Sequence, residues 1–252
     1  MRGWQIFTHS AGLVFRNLPV ALRLSLVPYC AHLAAQLYLF VNPDLVSVPS
    51  GLGGDLPQVE PAQYGIFLLL QIASLVASLW IAVAWHRYVL TEEFTAGWLP
   101  PLRGDLVLGY FGRSVMLGLL VLIAMLIVAI PAGVFMTIVP AATIALLLVT
   151  VVVGFYIFLR LGVILPAGAV DRKMTLRQAW TATGSEQRAI LGLCLVSVGF
   201  IVLLQIPLIL VPDGNSAFGL VYGLAFGWLA TMVGSSVLTS LYGICVEKRS
   251  ID

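Results

Sequence analysis

Residues 114–159 contain no charged side chain. About 20 residues of helix cross the hydrocarbon core of a bilayer. This stretch is therefore too long for one span and long enough for two. Pro131, Gly133 and Pro140 fall inside it and mark the expected hairpin between them. Other apolar blocks of similar quality flank it. Composition agrees, since only 10% of the 252 residues are charged and 60% are hydrophobic, whereas soluble domains carry about 25% charged residues. The chain reads as all-α and polytopic, a single integral membrane domain over residues 1–252. Six transmembrane helices are expected at about 22–41, 65–84, 114–135, 141–161, 190–211 and 218–246.

Two short amphipathic helices are expected at the membrane surface. Residues 3–16 place Trp4, Phe7, Ala11, Val14 and Phe15 on one face. This segment does not have the form of a cleaved secretory signal, because no clean apolar core precedes a small-residue cleavage site. Residues 176–183 follow a Thr175/Gln178 capping box and place Leu176, Ala179, Trp180 and Thr183 on one face, with Gly184 expected to end the helix in the left-handed conformation. Asp105 is expected to cap the third span. The cluster Trp85-His86-Arg87-Tyr88 has the form of a membrane–water boundary. Between the first two spans, residues 42–64 are rich in proline and glycine and read as an extended loop.

Charge sets the orientation. With six spans, all thirteen Lys and Arg residues fall on the side of the termini. The opposite loops hold four acids and no base. Basic residues stay in the cytoplasm, so both termini are expected there. The cytoplasmic face then carries thirteen basic and seven acidic residues. It is expected to attract anionic lipid headgroups, at roughly 1 kcal/mol per well-placed cation. No nucleic acid is needed to account for it.

Sites of chemistry are scarce. No Asp or Glu lies within a span, which argues against an ion-coupled pump. Cys30, Cys194 and Cys245 are not spaced as metal ligands or as a disulfide framework. No catalytic set, cofactor or metal is expected. Within the spans, His32 and Gln36 lie four apart and form the best polar pair, read first as an interhelical hydrogen bond. Gly219, Gly223, Gly227, Ala230 and Gly234 form a small-residue stripe, read as intramolecular packing ahead of homodimerisation. Arg160, Arg172, Lys173, Arg177 and Trp180 are the candidate lipid- or partner-binding residues. Arg160 is expected to snorkel to phosphate or to cap a helix end.

The order Arg160, LGVILPAGAV, a charged turn and then LRQAWTATG before another span resembles a bacterial membrane domain. So does Leu241-Tyr242-Gly243 before a charged tail. That domain is found fused to some glycerophosphoryl diester phosphodiesterases and also standing alone in inner-membrane proteins. The resemblance covers about residues 140–250. It implies a six-helix inner-membrane module with a regulatory or lipid-associated role. The hydrolase domain of the fused members is absent, so its activity does not carry over. No family catalytic residue matches a position here. Three functions stay open, in this order. The first is a non-enzymatic scaffold, assembly or regulatory partner, joined to a protein in the membrane. The second is a lipid or small-molecule pathway lined by His32, Gln36 and Arg160. The third is an enzyme on phospholipid headgroups, using His86 with Glu92 and Glu93.

Overall fold

A computed structural model describes residues 2–46, 60–94, 97–211 and 216–250. All regular structure among them is helical. In chain order the helices are α1 (Arg2–Arg16), α2 (Leu18–Val41), α3 (Pro61–Thr91), α4 (Gly104–Ile138), α5 (Thr143–Leu161), α6 (Ile164–Ala169), α7 (Leu176–Ala182), α8 (Gln187–Ile209) and α9 (Ala217–Cys245). Six stretches are long and apolar enough to cross a membrane: α2, α3, α4, the stretch Pro140–Ala169 that holds α5 and α6, α8 and α9. The fold is an all-α polytopic membrane bundle. Side chains such as Leu122, Ile123, Ile127, Ile130 and Ile144 are exposed along α4 and α5, as expected where lipid is the solvent.

Several boundaries move outward from the sequence expectation. Helix α3 runs on to Thr91 and α4 begins at Gly104, although Arg87 and Arg113 suggest earlier ends. The protein itself satisfies Arg87, which donates to the Ala169 carbonyl at 3.0 Å and pairs with Glu93, and the Arg113 guanidinium fills the space beside Gly168 that a Cβ would take. Pro131 does not turn the chain but lies inside α4. The reversal comes at Val139 and the short 3-10 turn Pro140–Ala142. Asp105 is not the cap of α4. Arg103 occupies that position, and Asp105 sits in the first turn, where a carboxylate favours the positive end of the helix dipole. Most of the 42–64 loop lies outside the described residues, beyond a single 3-10 turn at Pro43–Val46.

The spans form two groups. Helices α2, α3 and α9 pack on one another, while α4 and α8 each pack on α5. Polar side chains knit the first group. The Tyr29 hydroxyl donates to the Leu224 carbonyl at 2.8 Å, Trp228 Nε1 donates to Ser25 Oγ at 2.7 Å, and Ser74 Oγ donates to the Ala31 carbonyl at 3.1 Å. Helix α8 meets α9 chiefly through α1, which packs on both.

That role sets which face of α1 is covered. Its buried face is Gly3, Ile6, Phe7, Ser10 and Val14, while Trp4 and Phe15 are about half exposed. Two small residues of α1, Gly3 and Ser10, draw it in. The Ser10 and Ser240 hydroxyls lie 2.9 Å apart, and Ser236 Oγ donates to the Ser10 carbonyl at 2.7 Å. A Cβ built on Gly3 would sit 2.5 Å from the Leu193 backbone nitrogen, so the α1 and α8 backbones touch there. Trp85 and His86, at the expected boundary, do not face lipid: both side chains are fully buried in protein.

The glycine stripe on α9 is only partly an internal packing surface. At Gly227 the Tyr29 hydroxyl occupies the space a Cβ would need, at 2.8 Å. Gly223 and Gly234 meet nothing within 4 Å, and Ala230 is exposed. Gly219 belongs to the first turn, where its N–H donates to the capping Ser216 hydroxyl at 3.0 Å.

Candidate functional site

The basic side chains gather at one end of the bundle, and several join elements there. Arg2 pairs with Glu186 at 2.9 Å, Arg249 reaches the Leu90 carbonyl at 3.3 Å, and Arg172 pairs with Glu247 at 2.9 Å. Helix α6 packs there on α3, α4 and α9, and α7 on α5.

Helix α7 forms as the sequence suggests. Thr175 Oγ1 accepts from the Gln178 N–H at 3.3 Å, and Gln178 Oε1 accepts from the Thr175 N–H at 2.8 Å. Ala179 and Thr183 are buried. The far end differs. Thr183 is the C-cap in right-handed conformation, and Gly184 opens a 3-10 turn, Gly184–Glu186, that leads into α8. Arg160 supplies one of the donors this helix end lacks, to the Trp180 carbonyl.

Arg160 is 3% exposed and so does not reach lipid phosphate. Its Nε donates to Thr183 Oγ1 at 2.8 Å, Nη2 to the Trp180 carbonyl at 2.8 Å and Nη1 to the Tyr156 hydroxyl at 3.1 Å. The guanidinium carbon lies 3.9 Å from the Trp180 ring centroid and 5.8 Å from that of Tyr156. A cation on the last carbonyls of α7 also favours the negative end of that helix. Of the two roles expected for Arg160, the structure selects helix capping. Trp180 covers Arg160 with one face and stays about half exposed.

Helix α6 is the apolar stretch after Arg160, and residues 164–169 are all buried. It ends with Asp171 in left-handed conformation at φ 59°. The Arg172 N–H then returns to the Ala167 carbonyl at 2.8 Å and the Asp171 N–H to Gly168 at 3.3 Å, the Schellman pattern. This turn carries Arg172 to the mouth of an open groove of about 530 Å³ between α6, α7 and the end of α9. Arg172, Lys173 and Arg177 line its rim, and Ala167, Met174, Ala182, Tyr242 and Val246 its floor. Arg172 is already shared by the Tyr242 hydroxyl at 3.2 Å and Glu247. Among the described residues Lys173 and Arg177 make no ion pair.

The remaining sequence candidates do not converge. His32 Nε2 lies 2.8 Å from Ser78 Oγ, an α2–α3 contact, while Gln36 is exposed. Neither lies with Arg160, so these three residues line no common path. His86 does not face Glu92 and Glu93. Its Nδ1 lies 2.7 Å from Thr239 Oγ1 and its Nε2 3.2 Å from the Tyr110 hydroxyl. Thr239 Oγ1 donates to the Ser235 carbonyl at 2.8 Å, so it accepts from Nδ1–H and leaves Nε2 to accept from Tyr110. Both ring nitrogens are thereby engaged. This buried relay, like the Ser10–Ser240 contact, escaped sequence reasoning. Its trace is the run of small hydroxyl residues at 235, 236, 239 and 240 within an otherwise apolar span.

Glu92 takes the left-handed conformation that closes α3, at φ 55°. Glu93 then lies between Arg87 and Arg103, 2.8 Å from Arg103 Nη2. Partial burial disfavours its charge, but hydrogen bonds and attraction from Arg103 and Arg87 outweigh burial and hold the carboxyl below its usual range. Its contribution is therefore present above the ordinary carboxylate pKa and fades as pH falls through the lowered folded value. The protection of amides across residues 97–103, relative to their intrinsic exchange at each pH, is expected to fall as pH drops through the lowered carboxyl value. Glu93→Gln is expected to show the lower protection already at pH 7 and to lose this pH dependence.

Fold and site define a six-span α-helical membrane protein whose polar groups serve mainly to hold one end together. No family model, curated protein or solved structure matches the chain.

Proposed function

We propose that this protein is a non-enzymatic scaffold, assembly or regulatory partner in a bacterial inner membrane, with both termini in the cytoplasm. The observation that carries the reading is the gathering of basic side chains at one end, where cations outnumber the carboxylates that pair with them. Glu93, Glu186 and Glu247 engage Arg2, Arg87, Arg103, Arg172 and Arg249. Lys173, Arg177, Arg188 and Lys248 form no ion pair among the described residues and give the end its surplus. Such a surface suits the anionic leaflet of a cytoplasmic membrane. The engagement of both His86 nitrogens, and of Glu93 by two arginines, supports a structural role for the groups with most chemical potential. An inner-membrane setting is also what the resemblance proposed for residues 140–250, to the membrane domain of some phosphodiesterases, implies.

Two measurements test it. In a cysteine-free background in intact cells, Asp55→Cys is expected to react with an impermeant maleimide, and Ser250→Cys only after permeabilisation. Equal labelling of both would overturn the orientation. Extraction in mild detergent at native abundance is expected to bring down a stoichiometric membrane partner, and recovery of the chain alone would remove the scaffold reading.

A further inference from the structure

We infer that the groove between α6, α7 and the end of α9 holds the headgroup of a single anionic phospholipid. Lys173 and Arg177 bind its phosphate, and the floor lies under its glycerol and first methylenes. This deepens the lipid-facing part of the proposed function and rests on it only in needing the groove to reach a leaflet.

Four observations converge. The volume of about 530 Å³ falls within the range of small-molecule sites. Every charged side chain that lines it is basic. Two of the three are not neutralised by a carboxylate, so an anion gains attraction without displacing an internal partner. The floor is Ala167, Met174, Ala182, Tyr242 and Val246, which suits an amphiphile better than a free phosphate ester. The walls are also built before any ligand arrives. The capping box sets the start of α7, Arg160 its end, and the Asp171 turn the position of Arg172. A preformed site spends little ordering entropy on binding.

Native mass spectrometry of the full chain in neutral detergent, titrated with phosphatidylglycerol or phosphatidylcholine, provides the test. One phosphatidylglycerol per chain is expected to saturate at a loading where phosphatidylcholine shows no discrete adduct. At roughly 1 kcal/mol per cation, Lys173→Gln with Arg177→Gln should weaken it about thirtyfold. Arg188→Gln, outside the groove, should stay within about twofold. Val246→Glu places a carboxylate on the floor and should abolish the adduct while thermal stability is retained. An equal loss from Arg188→Gln would overturn the site in favour of diffuse charge attraction. Equal competition by soluble glycerol phosphate would overturn the lipid assignment in favour of a free phosphate ester. Unchanged binding in the double variant would overturn the residue assignment. None of these outcomes depends on a protein partner, so they separate this site from the scaffold reading.

Discussion

Arg160→Leu is expected to cost about 3–5 kcal/mol of stability and to free α7 from the bundle. Leucine keeps the packing volume but removes every donor that Thr183, the Trp180 carbonyl and Tyr156 now use. Hydrogen bonds to a charged group are worth about 1.5–3 kcal/mol each, and buried acceptors left unpaired add their desolvation cost. Arg160→Lys separates this clamp from a lipid-snorkelling role. An ammonium reaches a headgroup as well as a guanidinium does, so snorkelling would leave Lys near wild type. The clamp needs three donors in a plane, stacked on Trp180, so Lys should recover at most about half of the loss. Unfolding midpoints in mixed micelles, with limited proteolysis between residues 172 and 188, read both effects. Wild-type stability and protection in Arg160→Leu would sink the clamp.

The second large effect is expected at Gly3. A Cβ there would lie 2.5 Å from the Leu193 nitrogen and 2.7 Å from the Ala189 carbonyl oxygen. These are backbone atoms of α8, so no side chain can yield. Gly3→Leu is expected to lift the start of α1 off α8, at about 3 kcal/mol, the upper part of the usual range for overpacking. The partner glycine gives the control. A Cβ on Gly192 meets only the Gly3 Cα, at 3.7 Å, an ordinary contact. Gly192→Ala should be neutral or stabilising by up to about 1 kcal/mol through helix propensity. Protease sensitivity after Arg16 and thermal unfolding in detergent distinguish the two. Equal stability of both variants would mean that α1 does not dock.

These two positions show where reading the chain succeeded and stopped. Arg160 was legible as the residue that leads the connector, and Thr175 and Gln178 as the start of α7, because a capping box depends on residues three apart. The destination of the Arg160 guanidinium was not legible. Capping and snorkelling place the same residue at the same span end, and the choice depends on Thr183 and Trp180 folding back within reach. On α1, the apolar periodicity was legible, but the choice of face was not. Trp4 and Phe15 look most suited to burial by hydropathy, yet the helix buries Gly3 and Ser10. Close approach of backbones and hydroxyl contacts with α9 outweigh the larger rings, which lipid can accommodate.

The glycines of α9 make the same point. Their spacing is visible in the sequence, but only the position of Tyr29 makes Gly227 a contact and leaves Gly223 and Gly234 open. The groove is a stronger case. Arg172, Lys173 and Arg177 are neighbours in sequence, whereas Tyr242 and Val246 come from the other end of the chain.

By itself the sequence determined that this protein is helical, how many times it can cross a bilayer and roughly where each crossing lies. Those properties follow from the length of uncharged runs and the expense of placing charge in hydrocarbon, which are additive and local. Tertiary structure alone decided which cations are engaged internally, which helix face is covered and where a groove opens. Each of those depends on side chains far apart in the chain arriving within about 3 Å of one another, and no periodicity encodes such a meeting.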